Sequence, residues 1–293
     1  MKRSLSTFAF LGFVLLGCSL FSKATQTGTI QPGATVKAGG TLGPTAKATL
    51  PAAGGTNEPT VKATLPAATN TSCKELSFFL NPDLASKIKC ETVPESGGAD
   101  AMPFNTYPQY TKVSLVGYPL TGRMMQPVIS VLPIQPYIEL LPDVVNPDVS
   151  ALQALIAGGA PGSSDLPILP VQNAHQLFLA QYAVLQFQSG SGVGYITQYA
   201  QAYVPINNHE LFFSFQGITS DGKYWVSIIV PISHPSLWEN EGDPSNTIWT
   251  TINDNPDAYY SQMAADLNEK LPRSFVPTIL LLDTLIKSIS IQP

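Results

Sequence analysis

The side chains in this sequence that could carry out chemistry are few. Three histidines are present, His175, His209 and His234, and imidazole is the group suited to moving protons near neutral pH. None stands in a His-Glu-x-x-His run, which would set two zinc ligands on one helix face, and no serine stands in a nucleophile elbow. Gly190-Ser191-Gly192-Val193-Gly194 has the glycine density of a phosphate-cradling loop. It joins two strand-like runs with no helix after it, so a hairpin turn fits better. Trp238-Glu239-Asn240-Glu241-Gly242-Asp243, close after His234, gathers carboxylates for a cation. Its spacing departs from the EF-hand loop, and a solvated acidic loop also accounts for it. The reading is therefore of no catalytic residue, no metal and no cofactor.

Aromatic residues give a more specific expectation. Tyr195, Tyr199 and Tyr203 fall on one face of an extended run, interleaved with Thr197 and Gln201. Rings with polar tips, alternating with amide and hydroxyl groups, suit recognition of a peptide or a glycan. The same spacing serves cross-strand packing beneath helices, with Ile196, Ala200, Ala202 and Val204 turned the other way. Trp225 on the next hairpin fits either reading. Burial separates them: tyrosines covered by a helix at 256–271 leave no binding surface.

The N-terminus reads Met1-Lys2-Arg3-Ser4, followed by an apolar run from Phe8 to Leu16 that is too short to span a bilayer, the pattern of a targeting segment. Within it, Leu15-Leu16-Gly17-Cys18 resembles the lipobox of bacterial lipoprotein signal peptides. That resemblance implies removal of a signal peptide at residues 1–17, diacylglycerol on the Cys18 thiol, and acylation of the new amino terminus with palmitate-type chains. Two or three chains are needed, because each buried methylene contributes only about 0.8 kcal/mol. It further implies an extracytoplasmic protein anchored by lipid to a bacterial cell membrane or outer membrane, Ser19 favouring the outer one. An ordinary secretory signal with an incidental cysteine is the alternative.

From residue 18 to 72 the chain is rich in Thr, Ala, Gly and Pro. Pro44-Thr45-Ala46-Lys47-Ala48-Thr49-Leu50-Pro51-Ala52-Ala53 recurs almost unchanged from Pro59 to Ala68. One Leu per unit cannot build the shared core that a solenoid needs. The segment reads as a disordered linker, unable to offset an ordering entropy of about 1–2 kcal/mol per residue. With Cys18 lipidated, Cys73 and Cys90 remain as a pair in an oxidising compartment and are expected to form a disulfide worth about 3 kcal/mol. A single folded domain is expected over residues 73–293. A net charge of −5 provides no basic footprint for nucleic acid.

Three Asn-Pro-Asp runs, at Asn81, Asn146 and Asn255, read as helix starts, since Asn caps, Pro presets the first dihedral and Asp suits the dipole. They predict helices over 82–88, 149–157 and 258–271, with a last helix over 277–288. Alternating runs at 177–188, 193–204, 210–219 and 223–232 predict an antiparallel meander. Asp221-Gly222 is its strongest hairpin signal, as a type I′ turn. Runs at 111–120 and 128–134 extend the sheet, and helices pack against a face, giving an α+β fold behind a disordered stalk.

The order of hairpins, helix and the segment Leu280-Leu281-Leu282-Asp283-Thr284-Leu285-Ile286-Lys287-Ser288-Ile289 is similar to the end of PsbP/Mog1-type α/β sandwich domains, over residues 175–293. That resemblance implies fold and says little of function. The favoured functional expectation is a non-catalytic lipoprotein ectodomain that binds an envelope protein, a peptide or a glycan. The alternative is an envelope hydrolase or assembly factor whose site is built from loops, for which a pocket lined by His234, Glu239 and Asp243 would be the sign.

Overall fold

Phe212 to Thr219 is buried at all eight positions, which a strand achieves only when both faces of its sheet are covered. The computed structural model, which describes residues 68–98, 100–162 and 165–292, shows how. The predicted signal peptide, Cys18 and the linker to residue 67 lie outside the described residues. In chain order the elements are β1 (Thr69–Cys73), β2 (Leu76–Leu80), β3 (Lys87–Val93), β4 (Tyr110–Val116), β5 (Val128–Pro133), α1 (Ile134–Leu140) and α2 (Pro142–Ile156). There follow β6 (His175–Gln176), β7 (Ala180–Phe187), β8 (Gly190–Thr197), β9 (Tyr199–Ala200), β10 (Phe212–Thr219) and β11 (Tyr224–Pro231). The chain closes with α3 (Asn246–Asp254), α4 (Pro256–Asn268), α5 (Ile279–Ser288) and β12 (Ser290–Ile291).

Seven strands form one antiparallel sheet in the order β3-β4-β5-β11-β10-β8-β7, so the fold is α+β and the expected meander runs through β7, β8, β10 and β11. Phe213 and Phe215 of β10, Val226, Ile228 and Val230 of β11 and Ile196 of β8 share one core with Leu282, Leu285 and Ile286 of α5 and Leu267 of α4. Leu76 and Phe78 of β2 join that core, from a small sheet ordered β1-β2-β12. The opposite face packs Trp225, Val193, Tyr195 and Leu132 against Tyr137 of α1 and Val145, Leu152 and Leu155 of α2. Helices thus cover both faces. Among the described residues, no helix is long and apolar enough to cross a membrane.

The glycine run is neither a turn nor a phosphate loop. Gly190, Gly192 and Gly194 lie inside β8, and the turn before them is Gln188-Ser189. A Cβ on Gly192 would stand 2.3 Å from the Gln216 carbonyl oxygen and 2.6 Å from the Phe215 ring. One on Gly194 would stand 3.0 Å from the Phe213 ring. The alternate glycines therefore give the phenylalanines of β10 a flat strip to lie on, and the Phe187 and Phe215 rings meet edge to face with centroids 5.9 Å apart. Asp221-Gly222 does turn the chain, but not as type I′: among the pair only Gly222 has a positive φ, +71°. The Asp221 carboxylate instead accepts from the Thr219 hydroxyl at 2.7 Å and the Lys223 amide at 3.1 Å.

Of the three Asn-Pro-Asp runs, one behaves as predicted. Asn255 caps α4, its side-chain oxygen accepting from the Ala258 amide at 3.1 Å. At Asn81 the side chain accepts from Asp83 at 2.8 Å, yet the expected helix 82–88 stops after a turn. The Ser86 amide pairs with the Val116 carbonyl at 2.9 Å, and β3 begins at Lys87. At Asn146 the helix has already begun, with Pro142 in its first turn and Pro147 inside it. Burial of Val145 with Leu152 and Leu155 offsets the backbone bond that Pro147 cannot donate.

Cys73 and Cys90 form a disulfide across 5.7 Å between Cα atoms. It joins β1 of the small sheet to β3 of the seven-stranded one. Strand β1 also takes in residues 69–72, which the composition assigned to the linker.

Gly192→Ala is expected to lower stability by about 3 kcal/mol, because two of its three close neighbours are backbone atoms that cannot swing away. Gly242→Ala, with no atom within 4 Å of its added carbon, is the control and should change it by less than about 0.5 kcal/mol. Urea unfolding of both variants checks this; equal midpoints would reject the glycine strip.

Candidate functional site

The proposed aromatic face is not a surface. Tyr195 is 0% and Tyr199 is 3% exposed, and Trp225 is fully buried. They lie on the side of the sheet covered by α1, α2 and the following loop, not beneath α4. Tyr195 and Trp225 belong to the core with Tyr137 and Leu152. Tyr199 packs on Phe212 with centroids 5.7 Å apart. Burial drives the phenol pKa of both tyrosines well above the ordinary range. Tyr203 alone of the four is open, at 56%. It lies past the end of β9, against the Tyr260 ring. Period-two spacing places residues on a face, but cannot tell which helices arrive to cover it.

The loop over residues 165–174 covers part of that face. It is held by the sheet's polar interior: the Leu169 amide donates to Gln216 Oε1 at 3.3 Å, and the Leu166 amide to Gln176 Oε1 at 2.8 Å. Gln176 pairs with Tyr199 in the two-stranded ribbon β6-β9. Between this ribbon and α4 opens a cleft of about 480 Å³, lined by Asp165, Gln176, Phe178, Asp257, Tyr260 and Ser261 among others. Its walls combine carboxylates, a hydroxyl and apolar surface. Gln176 Nε2 is buried there without a hydrogen-bond partner among the described residues, and a buried donor left unpaired costs about 1–3 kcal/mol. Tyr260 is fixed by both backbone groups of Val204, accepting from its amide at 2.9 Å and donating to its carbonyl at 3.0 Å. The sequence marked only Asp257 among them, and that as part of a helix start, since the lining comes from three separated segments with no common spacing.

His234 is 6% exposed and both ring nitrogens are engaged. Nδ1 lies 2.7 Å from the Ser236 hydroxyl and accepts from the Ser236 amide at 3.2 Å. Nε2 lies 3.0 Å from the Ser274 hydroxyl, which donates onward to the Leu271 carbonyl at 2.8 Å. That chain of bonds is consistent with a neutral ring carrying its proton on Nε2. The backbone of His234 is clasped by Asn208, whose amide side chain accepts from its N–H at 2.9 Å and donates to its carbonyl at 3.2 Å. The imidazole thus pins two loops. Glu239 turns to Arg123, and the Asp243 carboxylate accepts from the Asn240 amide at 2.7 Å within its own loop. The three residues that would have marked a loop-built catalytic pocket do not converge. Among the described residues, no group of three or more His, Cys, Asp or Glu is placed to hold a metal.

Several carboxyls are held away from solvent. Burial pushes Asp148, on the inward side of α2, up to about 6. Burial likewise raises Glu210, whose carboxylate accepts from Gln198 Nε2 at 2.6 Å and Asn207 Nδ2 at 3.2 Å. Asp283 on α5 is raised by the same cause. Comparison with protein-family models, curated proteins and solved structures finds no match.

Burial, with the charge of Lys270, holds the His234 pKa below its ordinary value. The unfolded chain therefore takes up this proton first, and stability falls as pH drops from about 6.5 through the folded-state pKa. The raised carboxyls act in the opposite sense, the folded state binding protons first, so stability from them rises as pH falls toward the unfolded value. The difference between wild type and His234→Gln isolates the histidine: the wild type should lose stability relative to the variant across that window. Urea titrations at stepped pH test it, and a constant difference would show that His234 is not neutral and buried.

Proposed function

We propose that this protein is a lipid-anchored extracytoplasmic binding protein whose ligand, a peptide or glycan segment, enters the cleft between β6 and α4. The observation that carries the binding reading is the pairing of an unpartnered buried donor, Gln176 Nε2, with Asp165 and Asp257 beside an apolar floor that includes Phe178 and Leu166. A ligand with both hydrogen-bonding groups and an apolar face suits that lining, and pockets of a few hundred Å³ with few fixed polar groups are typical of small-ligand sites. The non-catalytic part rests on the sequence, which carries no catalytic motif; Asp165, which also meets His175 Nδ1 at 3.3 Å, and Asp257 are read as hydrogen-bond acceptors for the ligand.

The anchor rests on Leu15-Leu16-Gly17-Cys18 and its resemblance to a lipobox. The Cys73–Cys90 bridge is what an oxidising compartment allows. A Pro- and Thr-rich segment between Cys18 and β1 would let the domain range away from the membrane plane.

Two variants separate the parts of this proposal. Cys18→Ala should move the chain from the membrane fraction to the soluble fraction, with the same melting transition. Ser261→Trp, at an exposed position on α4 within the cleft, should leave anchoring unchanged and abolish binding on a peptide and glycan array probed with the full chain. Membrane retention of Cys18→Ala would overturn the anchor; array binding unaffected by Ser261→Trp would overturn the cleft.

A further inference from the structure

A second cleft, of about 380 Å³, opens where β4 runs into β5 and is lined by Lys112, Ser114, Thr121, Arg123 and Gln126 among others. Two cations line it and no carboxylate does, in a chain of net charge −5. The Arg123 side chain is only 13% exposed. Its Nη1 donates to Glu239. Its Nε is buried and has no hydrogen-bond partner among the described residues, and neither does Nη2 appear in any bond there. Those two nitrogens form the side edge of the guanidinium, whose parallel N–H bonds match the two oxygens of a carboxylate or phosphate. Glu239 meets Nη1, so it fixes the plane of the fork without using the Nε–Nη2 edge.

The fork is also held rigidly. The Met124 amide donates to the His209 carbonyl at 2.9 Å, the His209 amide to the Glu239 carbonyl at 2.9 Å, and the Asn208 amide to the Trp238 carbonyl at 2.8 Å. Arg123 and its counter-ion are thus tied through one backbone ladder, and little ordering is left for a ligand to impose. Lys112 makes no ion pair among the described residues. Its cross-strand neighbour Glu91 is bridged instead to Lys89 at 2.7 Å.

We infer that this cleft is an oxyanion site in which the Nε–Nη2 edge of Arg123 binds a carboxylate or phosphate group bidentately, with Lys112 supplying the second positive charge. It stands independently of the cleft at α4. Isothermal titration of the purified full chain with sodium phosphate and, separately, sodium succinate, at ionic strength fixed with sodium chloride, tests it. Saturable binding of at least one probe is expected. Arg123→Lys, which keeps the charge and removes the fork, should weaken it by about 10-fold or more, and Lys112→Gln by a smaller factor. Glu239→Gln should tighten it by removing a negative charge beside the fork while its amide oxygen can still accept from Nη1. A preference for phosphate would assign the site to a tetrahedral anion and one for succinate to a carboxylate. Absence of saturable binding by both probes overturns the inference, as does binding that Arg123→Lys and Lys112→Gln leave unchanged. Should Arg123→Lys fail to fold, the opposite shifts expected of Lys112→Gln and Glu239→Gln decide.

Discussion

The structure depends on one constraint: β10 and most of β11 are buried on both faces, so each polar atom on them must find its partner inside the protein. Gln216 meets the demand for a whole region. Its Oε1 accepts from Trp225 Nε1 at 2.7 Å and from the Leu169 amide at 3.3 Å, and its Nε2 donates to Ser214 at 2.9 Å and Ser227 at 3.0 Å. The amide is thus spent on both strands and on the loop above them. Without it, the Trp225 indole N–H would be buried unpaired and the loop 165–174 would keep only its packing, Ile168 on Phe212 and Ile229 and Leu169 on the Trp225 core, to hold it to the sheet. That attachment helps to place Leu166, while Gln176 is set by its pairing with Tyr199, and together they form one wall of the cleft at α4.

A second polar cluster does the same at the end of the sheet. Gln198, Asn207, Asn208 and His234 are all buried, and their side chains bond chiefly to loop backbone rather than to ligand-facing space. Asn207 holds Pro205 and Glu210, while Asn208 holds both ends of the His234 to Leu237 turn. A buried polar network of this kind rigidifies when fully paired. Its histidine is therefore better understood as a strut than as a base.

What the sequence made legible follows from how local each signal is. The Asn255 cap rests on interactions within a few residues and forms as expected; the antiparallel order of β7, β8, β10 and β11 also forms, though the turns that join them differ from those read in the sequence. The disulfide was legible because only two cysteines follow Cys18. The sheet β1-β2-β12 was not: Ser290 pairs with Ser77 across the length of the domain, and two-residue strands carry no period to detect. Pro147 misled because a helix start and a tolerated interior proline look alike when Val145 wants burial. The glycine run misled for a related reason. Turns and close ring packing both select against a Cβ, and only the phenylalanines on the facing strand decide between them. The clefts were out of reach altogether, since Gln176 and Asp257, or Lys112 and Arg123, meet through tertiary structure alone.

On the proposed lipid-anchored reading, the position of the disulfide has a mechanical consequence. The described chain begins at residue 68 and enters β1, which pairs only with β2. A pull along the preceding segment would load that strand first, and a strand held on one side by a five-residue ladder is the part most easily peeled away. Cys73 stands at its far end and is bonded to Cys90 in β3, which is itself paired along seven residues with β4. Once that ladder peels, the load passes through a covalent bond into the seven-stranded sheet rather than along the turn into β2 and β12. The bridge thus reinforces the junction between the small sheet and the seven-stranded one. On the anchored reading, that is also where stress from the membrane side arrives.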